Sequence, residues 1–160
     1  MRVLCCLDGT NSEQIGRALE MLSAVQPLTV GMLHVIDTRP RKDMDLIRER
    51  FLRPPLHPPR EEEMSEAERA SAQEILNEGR GYFASAETFE REGRPELEIV
   101  NLAAEWRADL VVVCSRATYQ GRHEIGPKSV GHVARFVLDH TPCPVLLLRP
   151  LAREQFPIER

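Results

Sequence analysis

No uninterrupted apolar stretch in this 160-residue sequence approaches the roughly 18 residues that a membrane-spanning helix requires. The first residues enter an apolar run directly, without the basic, apolar and small-residue succession of a secretory signal. The formal net charge is −4, so no excess of positive charge favours nucleic acid or an anionic membrane as a partner. We therefore expect a cytoplasmic protein that binds neither.

Cysteine pairs with the spacing of a zinc site are also absent. Cys5 and Cys6 are adjacent in a predicted strand, so their side chains should point to opposite faces and cannot share a metal ion. Cys114 and Cys143 lie at the ends of two further predicted strands. We expect all four thiols to be reduced packing residues, with Cys114 the one that would border a functional site.

Several catalytic motifs are missing as well. The sequence contains no His-x-Gly-His motif, no Ser-Gly-Gly-x-Asp-Ser loop and no Gly-x-x-x-x-Gly-Lys-Ser/Thr loop, and no Ser–His–Asp set can be placed. A phosphoacceptor receiver domain would need paired acids after its first strand and a lysine after its fifth. Asp8 stands alone at the first of these positions, and Arg149 occupies the second. We therefore predict a protein that is not an enzyme.

What the sequence does contain is the strand–helix alternation of one α/β domain. A chain of this length buries roughly 70% of its unfolded surface, enough for one ordinary core. Short apolar runs predict strands at 3–7, 28–36, 110–113 and 145–148. A further strand at 86–91, where only Thr88 and Phe89 are strong strand formers, is inferred mainly from the amphipathic helix that follows it and leads to the strand at Leu110. Right-handed crossovers would join them into a doubly wound sheet of five parallel strands. Ligands bind such sheets beyond the carboxyl ends of the strands, where the strand order reverses.

The helices are predicted from apolar spacing and from their first residues. Asn11 with Gln14, and Ser65 with Glu68, are spaced as capping boxes. His34, inside a strand, is expected to be packed or hydrogen-bonded rather than a ligand. Apolar residues at helical spacing are expected to face the core: Ile15, Ala18, Leu19 and Leu22; Ala67, Ala70, Ile75, Leu76 and Phe83; Leu97, Val100, Leu102, Ala103 and Trp106; and Val130, Val133, Ala134, Val137 and Leu138.

Residues 38–64 are predicted to be a long insertion after the second strand. Its segment Arg53–Arg60 contains four prolines, whose rings exclude both helix and strand ladder. A stiff linker across the sheet edge is the favoured interpretation, and a polyproline ligand for an aromatic groove is the alternative. We place the domain at 1–150 and a C-terminal tail at 151–160.

The segment 107–150 resembles the universal stress protein family. Its closing strand reads Pro-Cys-Pro-Val followed by aliphatic residues, as in that family, and Asp-Gly-Thr at 8–10 is similar to the end of the family's first strand. The resemblance implies a flavodoxin-like, adenine nucleotide alpha hydrolase-like fold that can hold ATP or AMP. It also implies a homodimer paired through the last strand, Val145–Leu148, which would otherwise be an exposed edge.

The resemblance also implies which residues would lie at the nucleotide. In the family the matching aspartate lies near the ribose or adenine, and main-chain groups beside the matching valine contact the adenine edge. Taken alone, Asp8 would be interpreted as a turn residue, because Asp-Gly is a common turn dipeptide; beside the segment 107–150, the site is favoured. The full set of candidate residues is Asp8, Gly9, Thr10, Val35, Cys114, Ser115, Arg116, Ala117, Lys128, Ser129 and Val130.

The phosphate loop departs from the family's glycine pattern, which is Gly, two residues, Gly, nine residues, Gly, and then Ser or Thr. Cys114 and Ala117 stand at the first two glycine positions, and Lys128 stands at the third if the loop has one extra residue. A β-carbon at Ala117 would cost roughly 1 kcal/mol or more in a left-handed conformation and would obstruct a phosphate. We therefore predict a non-catalytic regulatory module, a homodimer, that has lost ordinary ATP binding.

The alternative is a module that still binds ATP or AMP, with altered phosphate contacts. Basic side chains could replace the lost main-chain donors through charge-assisted hydrogen bonds, and a weak ATPase using Asp8 and the loop belongs to this alternative. Lys128 could equally fill the empty loop and pair with Asp8 or Glu124. Four basic residues occur in the loop: Arg116, Arg122, His123 and Lys128.

Overall fold

The computed structural model describes residues 1–39, 60–115 and 129–149, and of residues 60–64 only the backbone. Nine elements occur in these ranges: β1 (Arg2–Leu7), α1 (Ser12–Ser23), β2 (Thr29–Asp37), α2 (Arg60–Tyr82), β3 (Glu87–Gly93), α3 (Pro95–Glu105), β4 (Leu110–Cys114), α4 (His132–His140) and β5 (Val145–Leu148). The candidates Arg116, Ala117 and Lys128, the prolines of residues 53–60 and the tail 151–160 lie outside the described residues.

The five strands form one parallel sheet, as the sequence predicts. Their order is β3-β2-β1-β4-β5. Cys5 lies opposite Met32 of β2 on one side and Val112 of β4 on the other. The chain winds outward from β1 in both directions, so the strand order reverses between β1 and β4. This reversal fixes where a ligand site is expected in such a sheet.

Each face of the sheet carries its own apolar core. Val3, Cys5 and Leu7 of β1 pack with α1 and α2, whereas Leu4 packs with α3 and α4 and Cys6 lies against that second core. The period-2 alternation of the strand therefore distributes one short sequence between two cores. The expectation that Cys5 and Cys6 face opposite sides is confirmed. All four cysteines are free.

The start of α2 corrects one prediction. The helix begins at Arg60, so Ser65 lies inside it and does not open it with Glu68. The Glu-Glu-Glu run that follows Arg60 supplies good helix formers, and its negative charge is favourable in a first turn. Inward positions of α2 are Ala72, Leu76 and Gly79, whereas Ala67 and Ala70 are exposed.

Two further apolar residues do not face the core. Leu97 is 38% exposed, because Glu96, Ile99 and Leu102 take the inward positions of α3 instead. Leu138 is 42% exposed. It lies one residue, and so about 100° of helix rotation, beyond the buried Val137.

Candidate functional site

A cavity of about 300 Å³ opens at the carboxyl edge of the sheet, where the strand order reverses. The ends of β1, β2 and β4 form its floor, and the first turns of α3 and α4 form its walls. Of the candidate residues predicted from sequence, the structure brings together Asp8, Val35, Cys114 and Val130 on its lining. The cavity therefore lies where strand topology predicts a ligand site.

The turn after β1 orients the Asp8 carboxylate. Its Oδ1 atom accepts a hydrogen bond from the Thr10 main-chain N–H at 2.8 Å and one from the Thr10 hydroxyl at 2.9 Å. Gly9 has a φ of +89°, a conformation that a residue with a β-carbon rarely adopts. Asp8 is thus both a turn residue and a residue of the cavity, and Oδ2 can accept a further hydrogen bond.

Asn11 lines the cavity, whereas the sequence predicted that it would cap the first helix. Its amide Nδ2 donates to the Cys6 carbonyl at 2.9 Å, and its Oδ1 accepts from the Asp8 N–H at 3.1 Å. It makes no side-chain cap on α1, so the predicted capping box is wrong. With only 3% of its surface exposed, Asn11 instead ties the end of β1 to the turn that carries Asp8. The position of Asn11 three residues after Asp8, within reach of the same turn, is the sequence signal that could have indicated this hydrogen bonding.

The end of β2 contributes His34 and Val35 to the cavity. The His34 Nδ1 atom lies 2.9 Å from the Leu7 carbonyl oxygen. Because a carbonyl oxygen only accepts hydrogen bonds, Nδ1 carries the proton. The expectation that His34 is hydrogen-bonded is confirmed, and its position on the cavity lining is an addition to it.

Cys114, at the end of β4, also lines the cavity. Burial raises the pKa of its thiol to about 11; the charge of Asp8 adds to this, and a hydrogen bond with Asn11 opposes it. The group is therefore a neutral thiol at physiological pH. The next residue, Ser115, is buried, and its N–H donates to the Leu148 carbonyl at 2.8 Å, continuing the pairing of β4 with β5.

The entry to α4 forms the remaining wall. Val130 lies in the turn before the helix, and Gly131 has a φ of 80°, which a glycine adopts without strain. His132 is the first helical residue, and like Gly131 it lines the cavity although neither was predicted. Within the described ranges, Gly9, Thr10, Ser115 and Ser129 do not line it.

Beside the cavity lies a charged cluster that we name the Glu96 cluster: Asp37, Arg39, Arg94, Glu96 and His132. Glu96 is 2% exposed, and Arg94 donates two hydrogen bonds to its Oε1, at 2.7 and 3.0 Å. Arg39 pairs with Asp37 through Nη2 and Oδ2 at 2.6 Å, and its Nη1 lies 3.5 Å from the Glu96 Oε1. The cluster joins the end of β2 to the starts of α3 and α4.

The guanidinium groups keep both carboxylates of the Glu96 cluster ionised. The side-chain hydrogen bond from Arg39 lowers the pKa of Asp37, and this outweighs the effect of burial. Burial acts to raise the pKa of Glu96. Hydrogen bonds from its own main chain and from Arg94, with the charges of Arg39 and Arg94, nevertheless bring that pKa below its ordinary 4.5. Pro95 at the first position of α3 was a signal that Glu96 lies in a first helical turn.

The chemistry of this cavity suits a small molecule with one flat apolar part and a polar edge. Leu33, Val113 and Ile99 give it apolar walls, whereas Asp8 and His132 supply polar groups.

Among the residues that the structure describes, no group of three or more His, Cys, Asp or Glu side chains could hold a metal ion. None of the helices in those ranges combines the length and apolar character needed to cross a bilayer.

Comparison with known proteins agrees with the topology. Residues 1–149 match the model of the universal stress protein family. UspA from Lactobacillus plantarum has a similar structure at 21% identity, with a TM-score of 0.66, over 93% of this chain and 97% of that chain. No curated protein sequence matches this chain significantly.

Two further structures are similar and were solved with nucleotides. A universal stress protein from Arabidopsis thaliana with AMP bound is 16% identical, with a TM-score of 0.59, over 99% of this chain and 97% of that chain. A universal stress protein in complex with cAMP is 20% identical, with a TM-score of 0.55, over 93% and 96%. At such identities the likeness shows a common fold. With the family model matched over nearly its whole length, this chain belongs to the universal stress protein family.

Proposed function

We propose that this chain is a non-catalytic regulatory module of the cytoplasm whose cavity binds the adenosine part of AMP and which has lost ordinary ATP binding. The observation that carries the proposal is the cavity itself. It lies at the strand reversal, and its lining includes Asp8 and Val35, the residues that the family resemblance associates with the ribose and the base. AMP and cAMP are the nucleotides bound by two proteins of the same fold, which supports this ligand class.

The size and the walls of the cavity favour a small nucleotide. Its volume of about 300 Å³ is at the lower end of the range for small-molecule sites. Apolar side chains can cover the two faces of a base, while the Asp8 carboxylate can accept a hydrogen bond from a ribose hydroxyl. The start of α4 offers a positive helix end to a single phosphate.

Loss of ordinary ATP binding is proposed from the residue at the first glycine position. Cys114 is one of the residues that line the cavity, and unlike the glycine of the family pattern it carries a β-carbon beside the main chain that a phosphate would approach. Burial raises the pKa of its thiol to about 11, so the group is neutral at physiological pH, and neither of its protonation states offers a positive charge to the β- and γ-phosphates. The second candidate function is the ATP- or AMP-binding module with basic phosphate contacts, supported by the basic residues of the loop sequence.

Calorimetric titration with adenosine, AMP and ATP tests the proposal. We expect AMP to bind and ATP to bind no more tightly than AMP, with no phosphate released from ATP. Asp8→Asn should weaken AMP binding roughly tenfold or more, since the charge-assisted hydrogen bond is lost while Oδ1 still accepts from Thr10. Glu13→Gln, on the exposed side of α1, is the matched control. ATP binding tenfold tighter than AMP, ATP turnover, or no binding at all would each contradict the proposal.

We also propose that two copies pair through β5. This strand is an edge of the sheet, and all four of its residues are half-buried, so neither face is fully covered. The main-chain oxygens of Pro144 and Leu148 point to β4, where they accept hydrogen bonds. By the alternation of a parallel strand, Leu146 also points to β4, whereas Val145 and Leu147 direct their N–H and C=O groups outward. Those outward groups are the ones a second copy would pair with.

The direction of these groups gives a clean test of the dimer. Cys143 permits ligation of a synthetic peptide covering residues 143–160, so that single main-chain nitrogens can be methylated. N-methylation at Leu147 removes an outward N–H and should convert the dimer to a monomer with little change in stability. The same change at Leu146 removes a bond to β4 and should lower stability. Light scattering and denaturant unfolding separate these results. A monomeric wild type, or a dimer unaffected at Leu147, would contradict pairing through β5.

A further inference from the structure

The Glu96 cluster contains an acceptor whose hydrogen-bonding capacity is unused. The Oε1 atom of Glu96 accepts hydrogen bonds from Arg94. The Oε2 atom is buried and has no hydrogen-bond partner among the residues that the structure describes. The His132 Nε2 atom lies 4.0 Å from this Oε2. A hydrogen-bond donor stabilises a buried carboxylate oxygen, because burial removes part of its hydration.

The same His132 nitrogen has a second neighbour. The Arg39 Nη1 atom lies 3.2 Å from Nε2. A guanidinium group can only donate hydrogen bonds, so this contact requires Nε2 to accept, and the imidazole is then neutral with its proton on Nδ1. In the imidazolium form both ring nitrogens donate. The contact with Arg39 would then place two donors and two positive charges against each other, while Glu96 Oε2 still lacks a donor.

We propose that His132 is a pH-operated switch that accepts a hydrogen bond from Arg39 when neutral and donates one to Glu96 Oε2 when protonated. A ring movement of about 1 Å closes the 4.0 Å separation to hydrogen-bond distance. His132 lines the cavity and begins α4, so the two positions of its ring present different groups to a ligand. Histidine is the side chain whose charge ordinarily changes between pH 5 and 8.

Among the described residues, two carboxylates and two guanidinium groups of neighbouring elements lie around His132. From the end of β2, Asp37 and Arg39 face it; from the start of α3, Glu96 faces it with Arg94 bound behind. On its own helix, Arg135 is one turn away. The hydrogen bond from Arg39 lowers the pKa of Asp37. Burial acts to raise the pKa of Glu96, but hydrogen bonds from its own main chain and from Arg94 lower it overall, so both carboxylates are charged between pH 5 and 8.

The switch is tested without any nucleotide. Long-range nitrogen–proton NMR spectra of the full chain between pH 5 and 8 report the tautomer and the titration midpoint of His132. We expect the neutral form to carry its proton on Nδ1. In Glu96→Gln the midpoint should lie about 1 pH unit lower than in wild type, because a negative neighbour is lost. Glu98→Gln, in the same first turn of α3, should leave the midpoint unchanged and controls for general charge effects.

Two results would overturn the switch: a neutral tautomer protonated on Nε2, or equal midpoints in wild type and Glu96→Gln. The tautomer is read from the wild type, so the test survives if Glu96→Gln does not fold.

The consequence for a ligand rests on the proposed nucleotide site. AMP affinity, measured relative to His132→Gln, should rise several-fold from pH 8 to pH 5.5, whereas that of uncharged adenosine should not. A working tautomer switch without AMP binding would contradict the proposed function and leave the switch intact. AMP binding without a pH-dependent difference from His132→Gln would contradict the coupling of the switch to the ligand.

Discussion

The middle and the carboxyl end of β1 carry different kinds of interaction. In the middle of the strand, Val3, Leu4 and Cys5 are completely buried and belong to the two apolar cores. A few residues further along, Asp8 and Asn11 hold specific hydrogen bonds at defined distances. The middle of the strand tolerates any well-packed set of apolar side chains, whereas the carboxyl end depends on particular hydrogen-bond donors and acceptors. One sheet thus separates the residues that stabilise the fold from those that shape the cavity.

The largest expected loss of stability is for a substitution in the apolar middle of β1. Leu4→Ala should lower the free energy of unfolding by about 2–5 kcal/mol, because it removes a fully buried side chain from the α3/α4 core. Denaturant unfolding measures this. Met21→Ala, at a position 75% exposed, should change stability by no more than about 0.5 kcal/mol. Equal effects of the two variants would break the distinction between core and surface.

A smaller loss is expected at the carboxyl edge. Asn11→Ala should cost about 1–3 kcal/mol, because the Cys6 carbonyl and the Asp8 N–H both lose their partner. Asn11→Asp keeps an acceptor for the Asp8 N–H but has no donor for the Cys6 carbonyl, so comparing its stability with that of Asn11→Ala separates the contributions of the two hydrogen bonds. Thermal unfolding compares the variants. Wild-type stability for Asn11→Ala would show that the edge tolerates loss of its polar contacts as freely as an exposed surface does.

The smallest effect should appear only in acid. The pKa values of Glu96 and Asp37 are lowered from 4.5 and 3.8, so their stabilising contribution is complete above those values and is lost as pH falls through the lowered ones. Stability of wild type should therefore decline more steeply below about pH 4.5 than that of Glu96→Gln, measured by unfolding across pH 2–6. Parallel pH profiles would mean that Glu96 contributes nothing to acid sensitivity.

The sequence predicted the cavity better than it predicted the polar contacts around it. Asp8, Val35, Cys114 and Val130 were all candidates, because the resemblance to the family's motifs implied a place at the nucleotide for each of them. His132 was not, since one histidine at a helix start has no distinctive spacing. In α3 the apolar pattern favoured Leu97 as a core residue, yet Glu96 is buried in its place. Such a choice depends on Arg39 and Arg94, whose proximity no local pattern encodes.

Apolar spacing, the alternation of strands with helices and the handedness of crossovers together predicted the five-stranded parallel sheet and the edge where a ligand would bind. These features follow from local geometry that repeats along the chain. Only the tertiary structure decided that Asn11 ties the turn rather than capping α1, and that Glu96 meets His132 and Arg39. Those contacts join residues up to 93 positions apart, and they depend on distances of a few ångströms that packing sets.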